Sequence, residues 1–274
     1  MNSKMAKEST ARPGTLPRTT LPETFESCAQ EYDLYRPTIP RALVDGIFED
    51  LQLPPNLEIL EIGCGSGQAT ESFLERGHSL TALEPGPRLL RLAKKKFAGR
   101  PGLKFVQSRF ESFRSPNRRF DLVVASSSLH WVDPEYRYEK TYRLLKPSGF
   151  LIQLLTNCEF APRSQRFVDE FADRFRSKMV LQAASSFRDR DVDLNARFQL
   201  QKNYSHQFSL QTDFSFLAGH LRTFFEPRLL QARDQDWYWK VLASLVAQRG
   251  PLRVQFQTFA TVLTPVELSF GNRI

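Results

Sequence analysis

The chain has 274 residues, 41% hydrophobic and 25% charged, an ordinary globular composition with room for one large α/β domain or two small ones. Its formal charge of +8 is compatible with nucleic acid, a membrane surface or a small anionic substrate as partner; the basic runs Arg88–Lys96 and Arg114–Arg119 are short and no RNA-binding aromatic motif or zinc-finger spacing accompanies them, so nucleic acid is not expected. Cys28, Cys64 and Cys158 are scattered and odd in number, which argues against a disulfide framework and for reduced thiols in a cytoplasmic protein, and neither a membrane-span-length apolar run nor a signal-peptide stretch is present.

Residues 1–22 are polar, carry Pro13, Pro17 and Pro22, and read as a disordered tail. A domain over 23–274 follows. Phe25–Tyr35 is periodic and reads as a helix, broken at Arg36-Pro37. Leu43, Val44, Ile47, Phe48 and Leu51 recur at helical spacing behind Pro40. Leu57–Ile62 is a short apolar run that ends in glycines, the pattern of a buried strand entering a loop. Helices over Gln68–Arg76, Pro87–Ala98 and Pro134–Leu145 then alternate with strands over Ser79–Glu84, Leu103–Gln107, Asp121–Ala125 and Phe150–Leu155. Lys146–Gly149 reads as a turn. The alternation predicts a parallel, doubly wound sheet. Beyond it, Gln165–Gln182 looks helical and Ser185–Gln201 is ambiguous. Asn203–Phe208 alternates like a strand, Phe214–Phe224 and Asp236–Gln248 look helical, Arg253–Leu263 reads as a strand, and Glu267–Phe270 as a short piece of another.

A strand that ends in a glycine loop and opens into a helix is a cofactor site in such folds. The run is Glu61-Ile62-Gly63-Cys64-Gly65-Ser66-Gly67. The dinucleotide fingerprint G-x-G-x-x-G fails here, because Gln68 and Thr70 occupy its last position in the two registers. A phosphate-binding loop fails too, for want of its Lys and Ser/Thr. Glu84, at the end of the next strand, is placed to hydrogen-bond both ribose hydroxyls. Glu61 would repel a pyrophosphate, but suits a cofactor with a cationic methionine end. The glycines let backbone lie against the cofactor.

The E-x-G-x-G-x-G run, Glu84 and the later strand Phe120-Asp121-Leu122-Val123 resemble the successive motifs of class I S-adenosylmethionine-dependent methyltransferases. The resemblance implies a Rossmann-like seven-stranded sheet with helices on both faces and a helical lid over the active site, residues 157–203 being a lid insertion. It implies S-adenosyl-L-methionine as cofactor, with Glu61, Gly63, Gly65, Gly67, Glu84, Pro85 and Ala125 lining its site. Phe105–Glu111 corresponds to the segment that frames the adenine, with Arg109 and Phe110 near the ring and Glu111 bracing the loop. Arg109 stands where the family often has an acidic or small polar residue.

Three further features, Tyr32–Pro37, Ser128–Asp133 and the helices of Phe214–Gly250, resemble the branch containing trans-aconitate and juvenile hormone acid methyltransferases. That branch implies a small-molecule acceptor, O-methylation, and a carboxylate as one acceptor. The alternatives are N- or C-methylation of a hydrophobic or lipid-like acceptor, and a non-catalytic cofactor-binding protein on the same fold. Tyr32 and Arg36 are expected over the methionine end of the cofactor. Tyr35, His130, Trp131, Arg222 and Phe224 are expected around the acceptor, with His130 either a base or a pocket wall and Arg222 a partner for a carboxylate. Asp133, before Pro134 and Glu135, reads as a helix N-cap. His78, His206 and His220 show no metal-ligand spacing and read as structural or exposed; no metal is expected. A monomer or homodimer is expected.

Overall fold

The computed structural model describes residues 25–74, 77–160, 197–223, 232–249 and 252–266. The tail, the helix Gln165–Gln182, most of the expected lid insertion, Phe224 and the strand Glu267–Phe270 lie outside the described residues.

A short turn from Phe25 leads into α1 (Ala29–Tyr35), and Pro40 precedes α2 (Arg41–Asp50). Then β1 (Glu58–Ile62), α3 (Thr70–Leu74), β2 (Ser79–Leu83), α4 (Pro87–Lys96), β3 (Leu103–Val106) and β4 (Phe120–Ser126) follow in alternation. A 3-10 turn at Leu129–Trp131 precedes α5 (Pro134–Leu144), which Asp133 caps by accepting the Glu135 N–H at 3.0 Å. The remaining elements are β5 (Leu145–Phe160), β6 (Phe198–Thr212), α6 (Phe214–Arg222), α7 (Ala232–Arg249) and β7 (Leu252–Pro265).

The seven strands form one sheet in the order β3-β2-β1-β4-β5-β7-β6. Pairings from β3 through β5 are parallel, and β7 runs antiparallel to both neighbours. The sheet therefore has the seven strands and doubly wound connections expected of it, with β7 as its antiparallel member. Ile59, Leu60 and Ile62 are all nearly inaccessible, because β1 is covered on both faces, as a continuous apolar run requires. One face packs Ile59, Leu80, Leu122 and Ile152 against Ile47, Phe48 and Phe73 from α2 and α3. The other packs Leu60, Val123 and Leu151 against Phe110, Phe113 and Tyr138. His78 is structural: it is buried and its Nδ1 accepts the Leu57 N–H at 3.0 Å.

The expected turn Lys146–Gly149 sits inside β5 as an irregularity. Between the pairs Phe120↔Leu145 and Leu122↔Phe150 the two strands advance unequally, and the turn residues loop out. Lys146 secures the bulge through Asp121, at 2.8 Å to each carboxylate oxygen. A side chain at Gly149 would stand 2.8 Å from the Asp121 carbonyl oxygen.

The chain leaves β1 for β2 and β3 on one side, then returns to β4 on the other. That reversal opens a crevice at the carboxyl ends of β1 and β4, where ligands sit in open α/β sheets. The glycine loop begins there.

Candidate active site

The loop after β1 has positive φ at Gly63 (+67°), Gly65 (+59°) and Gly67 (+99°). Two of these positions are also sterically closed. A Cβ on Gly63 would stand 2.7 Å from Ser128 Cβ, and one on Gly67 2.3 Å from the Phe97 ring. The loop is thus pressed between the segment leaving β4 and the end of α4. The Ser128 hydroxyl donates to the Ile62 carbonyl, and the Cys64 N–H to Leu83 at 2.8 Å.

The register pairs Ile62 with Leu83, so Glu84 arrives level with the loop. Its two carboxylate oxygens accept the N–H groups of Gly65 (2.9 Å) and Gly86 (2.8 Å). Burial pushes its carboxyl up to about 7, against the pull of both N–H donors. Glu61 is 1% exposed. One of its oxygens accepts the Thr70 hydroxyl at 2.7 Å, and the other has no partner among the described residues. Burial pushes this carboxyl up to about 7 as well, with nearby Glu84 adding to the shift.

Two lobes open from the loop, and Tyr32, Gly63, Ser126 and Ser127 line both. The first, about 800 Å³, runs past Glu84, Pro85 and Leu89 to Arg109, Phe110 and Trp131. The second, about 550 Å³, holds Arg36, Glu61 and Gln68 on one side and Thr156, Cys158, His220 and Phe256 on the other. The segment that carries Phe110 is held from below by Lys140, whose ammonium donates to the carbonyls of Glu111 (3.0 Å) and Phe113 (2.7 Å) and to that of Phe110. Glu111 lines the first lobe and also braces the loop, its carboxylate accepting the Asp133 N–H at 2.9 Å.

The α1 segment covers both lobes. On the α4 side, Glu26 accepts the N–H groups of Arg88 (2.8 Å) and Leu89 (3.2 Å), and Asp33 pairs with Lys96. On the α6 side, Arg36 donates to the Thr223 carbonyl at 3.1 Å, and His220 Nδ1 stands 2.9 Å from the Tyr35 carbonyl. In between, the Tyr32 ring lies over Gly65 and carries the Arg36 guanidinium 5.6 Å from its centre. Burial raises the Tyr32 phenol, and Arg36 opposes the shift.

Of the residues picked out in the sequence, Tyr32, Arg36, Glu61, Gly63, Gly65, Glu84, Pro85, Arg109, Phe110 and Trp131 line one lobe or the other. Gly67 shapes the loop from behind. Ala125 is buried within β4, and its neighbour Ser126 faces both lobes. Tyr35 packs edge-on against Phe216 and over Gly219. His130 lies tilted against Trp131, with ring centres 4.6 Å apart, and belongs to neither lobe's lining. Arg222 is exposed, 5.0 Å over the Trp239 ring, and also lies off both linings.

Sequence reasoning misses Thr156, Cys158, His220 and Phe256, which reach the second lobe from β5, α6 and β7. None sits in a local motif; only the long-range pairing of β5 with β7 and the docking of α6 on α1 bring them to the glycines. It also misses Glu26, whose position just ahead of the Tyr32 segment is the one signal available.

Residues 60–153 match a family model described as a methyltransferase domain. A malonyl-[acyl-carrier protein] O-methyltransferase from Paenibacillus sp. (strain JDR-2) is 31% identical over 149 residues, 50% of this chain and 54% of that protein. The protein of that name from Enterobacter lignolyticus is 27% identical over 168 residues, 59% of this chain and 65% of that one. The chain spans about half the length of the curated relatives it matches. A structure from Anaeromyxobacter dehalogenans, described as a type II methyltransferase, superposes with a TM-score of 0.67 at 22% identity, over 83% of this chain and 97% of that one. An S-adenosylmethionine-dependent methyltransferase from Geobacter sulfurreducens, crystallised with S-adenosyl-L-homocysteine, superposes with a TM-score of 0.50 at 12% identity over 92% and 99%. These likenesses show the fold.

Proposed function

We propose that this chain, whose residues 60–153 match a methyltransferase domain, transfers the methyl group of S-adenosyl-L-methionine to an oxygen of a small molecule. The observation that carries the reading is that Glu61 and Arg36 both line one lobe beside the glycine loop. A buried carboxylate oxygen without a partner and a guanidinium at the end of α1 form a complement to an amino-acid zwitterion. Glu61 would hold the ammonium of the methionine end and Arg36 its carboxylate. Glu84 retains lone pairs beyond the two N–H bonds it accepts, and would take the ribose hydroxyls. Pro85, Phe110 and Trp131 offer flat apolar surface for the base.

The bound cofactor supplies a methyl group that is already electrophilic. The protein's part is alignment and the exclusion of water. Tyr32 and α1 close the cleft from above. The glycine loop, fixed by Glu84, allows close approach of backbone from below. Thr156, Cys158, His220 and Phe256 form the remaining wall, where the acceptor would stand. Oxygen as the accepting atom is supported by the relatives named as O-methyltransferases. Calorimetry with S-adenosylhomocysteine tests the donor site, and no binding by the folded protein would sink the proposal. A methyl-transfer screen over carboxylic acids, phenols and amines tests the acceptor atom, and hits confined to amines would discard oxygen.

A further inference from the structure

Helix α4 opens immediately after Glu84-Pro85-Gly86, whose first two residues line the first lobe. The N–H groups of a helix's first turn have no acceptor within the helix and need one elsewhere. Gly86, which precedes α4, has no side chain to offer, and Pro87 has no N–H. The Leu90 N–H returns to the Gly86 carbonyl at 3.0 Å. Those of Arg88 and Leu89 go to the carboxylate of Glu26, one to each oxygen, at 2.8 and 3.2 Å. The cap is thus supplied from 62 residues upstream of Arg88, by the segment that leads into α1. A carboxylate there also meets the positive end of the helix dipole. The Arg88 guanidinium returns the contact, donating to the Glu26 carbonyl at 3.4 Å. At the far end of α4, Lys96 pairs with Asp33 of α1. The α1 segment therefore grips α4 at both ends.

Glu26 joins two parts of the cleft. Its chain neighbour Phe25 lines the first lobe and meets Tyr32 and Trp131 edge-on, with ring centres 5.7 and 6.0 Å away. On its other side lies the Gly86 backbone, where an added Cβ would stand 2.3 Å from a Glu26 oxygen and 3.0 Å from a Glu84 oxygen. Glu84 takes the Gly86 N–H, and Glu26 takes the next two that the chain offers. We infer that Glu26 is a positioning residue for the donor: through it, docking of the α1 segment and ordering of the Glu84–Gly86 turn become one transition, so that the cofactor is held by closure of α1 and not by the glycine loop alone. The inference rests on the donor-site reading above and deepens it. Glu26 belongs to neither lobe's lining and engages α4 with both oxygens, so it acts through Glu84 and Phe25. By linkage, the ligand must tighten the Glu26 bonds as much as those bonds tighten the ligand.

Calorimetry of the full chain with S-adenosylhomocysteine first reports whether the wild type loads, and failure to load overturns the donor-site reading. In a protein that loads, Glu26→Ala should release S-adenosylhomocysteine about tenfold faster, the scale of losing a helix cap, with association little changed. A cap that served the fold alone would lower the Tm of free and loaded protein alike and leave dissociation unchanged; that result overturns this inference and leaves the donor-site reading standing. Amide hydrogen exchange reads the coupling itself. In the wild type, S-adenosylhomocysteine should slow exchange of the Arg88 N–H, whereas in Glu26→Ala that amide should exchange fast with or without ligand. An Arg88 amide indifferent to ligand in the wild type would refute the coupling. A double-mutant cycle gives the third reading: Phe25→Ala should weaken binding in the wild type and weaken it little further in Glu26→Ala, and full additivity would count against the role. Glu26→Gln keeps one carbonyl acceptor and should fall between; it carries the same comparisons if Glu26→Ala does not fold.

Discussion

Glu84 accepts the Gly65 N–H at 2.9 Å, and in doing so ties the end of β2 to the loop that follows β1. The same carboxylate accepts the Gly86 N–H at 2.8 Å, ahead of α4. It therefore fixes the floor of the cleft before any ligand arrives. Removing it as Glu84→Ala leaves two buried N–H donors without their acceptor and takes away the proposed ribose partner. Each charge-assisted hydrogen bond is worth about 1.5–3 kcal/mol, so S-adenosylhomocysteine affinity should fall at least about tenfold. Glu84→Gln offers one acceptor oxygen in place of two, and its amide NH2 must face one of the two N–H groups. It should lose affinity as well, by less. Calorimetry reads both variants; wild-type affinity in Glu84→Ala would show that the ribose contact is misassigned.

The two buried carboxyls make a pH dependence with a definite sign. Glu61 and Glu84 are both pushed up to about 7 by burial, above an ordinary glutamate. The fold thus favours their protonated forms. Their contribution to stability is fully present below the ordinary glutamate range and is lost as pH rises through about 7. Ligand-free Glu61→Gln cannot ionise there, so its Tm should gain on that of the wild type between pH 5 and pH 8. A cofactor ammonium held at Glu61, as proposed, would reverse the preference there. Affinity for S-adenosylhomocysteine should rise from pH 6 to pH 8, with proton release visible as a buffer-dependent heat. A flat affinity profile would place the ammonium elsewhere.

Much of this cleft is legible locally. Ile59–Gly67 announces a buried strand and a loop that needs positive φ, and Glu84 follows at the end of the next strand; both arise from short-range pattern. The β5 bulge is legible as a turn at Lys146–Gly149, but not as an interruption within a strand, because that depends on Asp121 across the sheet. The length of β5 and β6 is not legible. Asn157–Phe160 lacks the apolar character of a buried strand, and only its pairing with β7 extends it. His220 reads as structural or exposed in the sequence because a histidine on a helix carries no signal of what the helix docks against. Its place is set by Tyr35 and α1, an association made by tertiary contact alone.

The same substitution should have opposite signs at two glycines. Gly46 lies within α2, has no unusual φ, and leaves open space around the position a Cβ would take, with nothing within 4 Å. Gly46→Ala should stabilise the protein by about 0.5–1 kcal/mol, through helix propensity and reduced unfolded-chain entropy. Gly67 has φ +99° and would set a Cβ 2.3 Å from the Phe97 ring. Gly67→Ala should cost about 2–4 kcal/mol, from backbone strain and overpacking together. Urea unfolding midpoints decide it. A loss at Gly46 or a gain at Gly67 would contradict the packing described.

Gly219 offers a test of the contact between α6 and α1. In an isolated helix, alanine at this position of α6 would be favoured by about 1 kcal/mol. Here the added Cβ would stand 2.2 Å from the Tyr35 ring. The ring must move, and it belongs to the helix whose next residue, Arg36, reaches the Thr223 carbonyl and lines the second lobe. Because α6 itself gains while its contact with α1 is lost, the two effects oppose each other in global stability. The Tm of Gly219→Ala should therefore stay near that of the wild type. Ligand binding reports the α1 contact alone, so S-adenosylhomocysteine affinity should fall about tenfold or less, mainly through faster dissociation. Adding Tyr35→Ala removes the ring that the new methyl group meets. The double variant should then show no further loss from the alanine at 219. If Gly219→Ala alone binds as tightly as the wild type, α1 does not hold the ligand through its contact with α6.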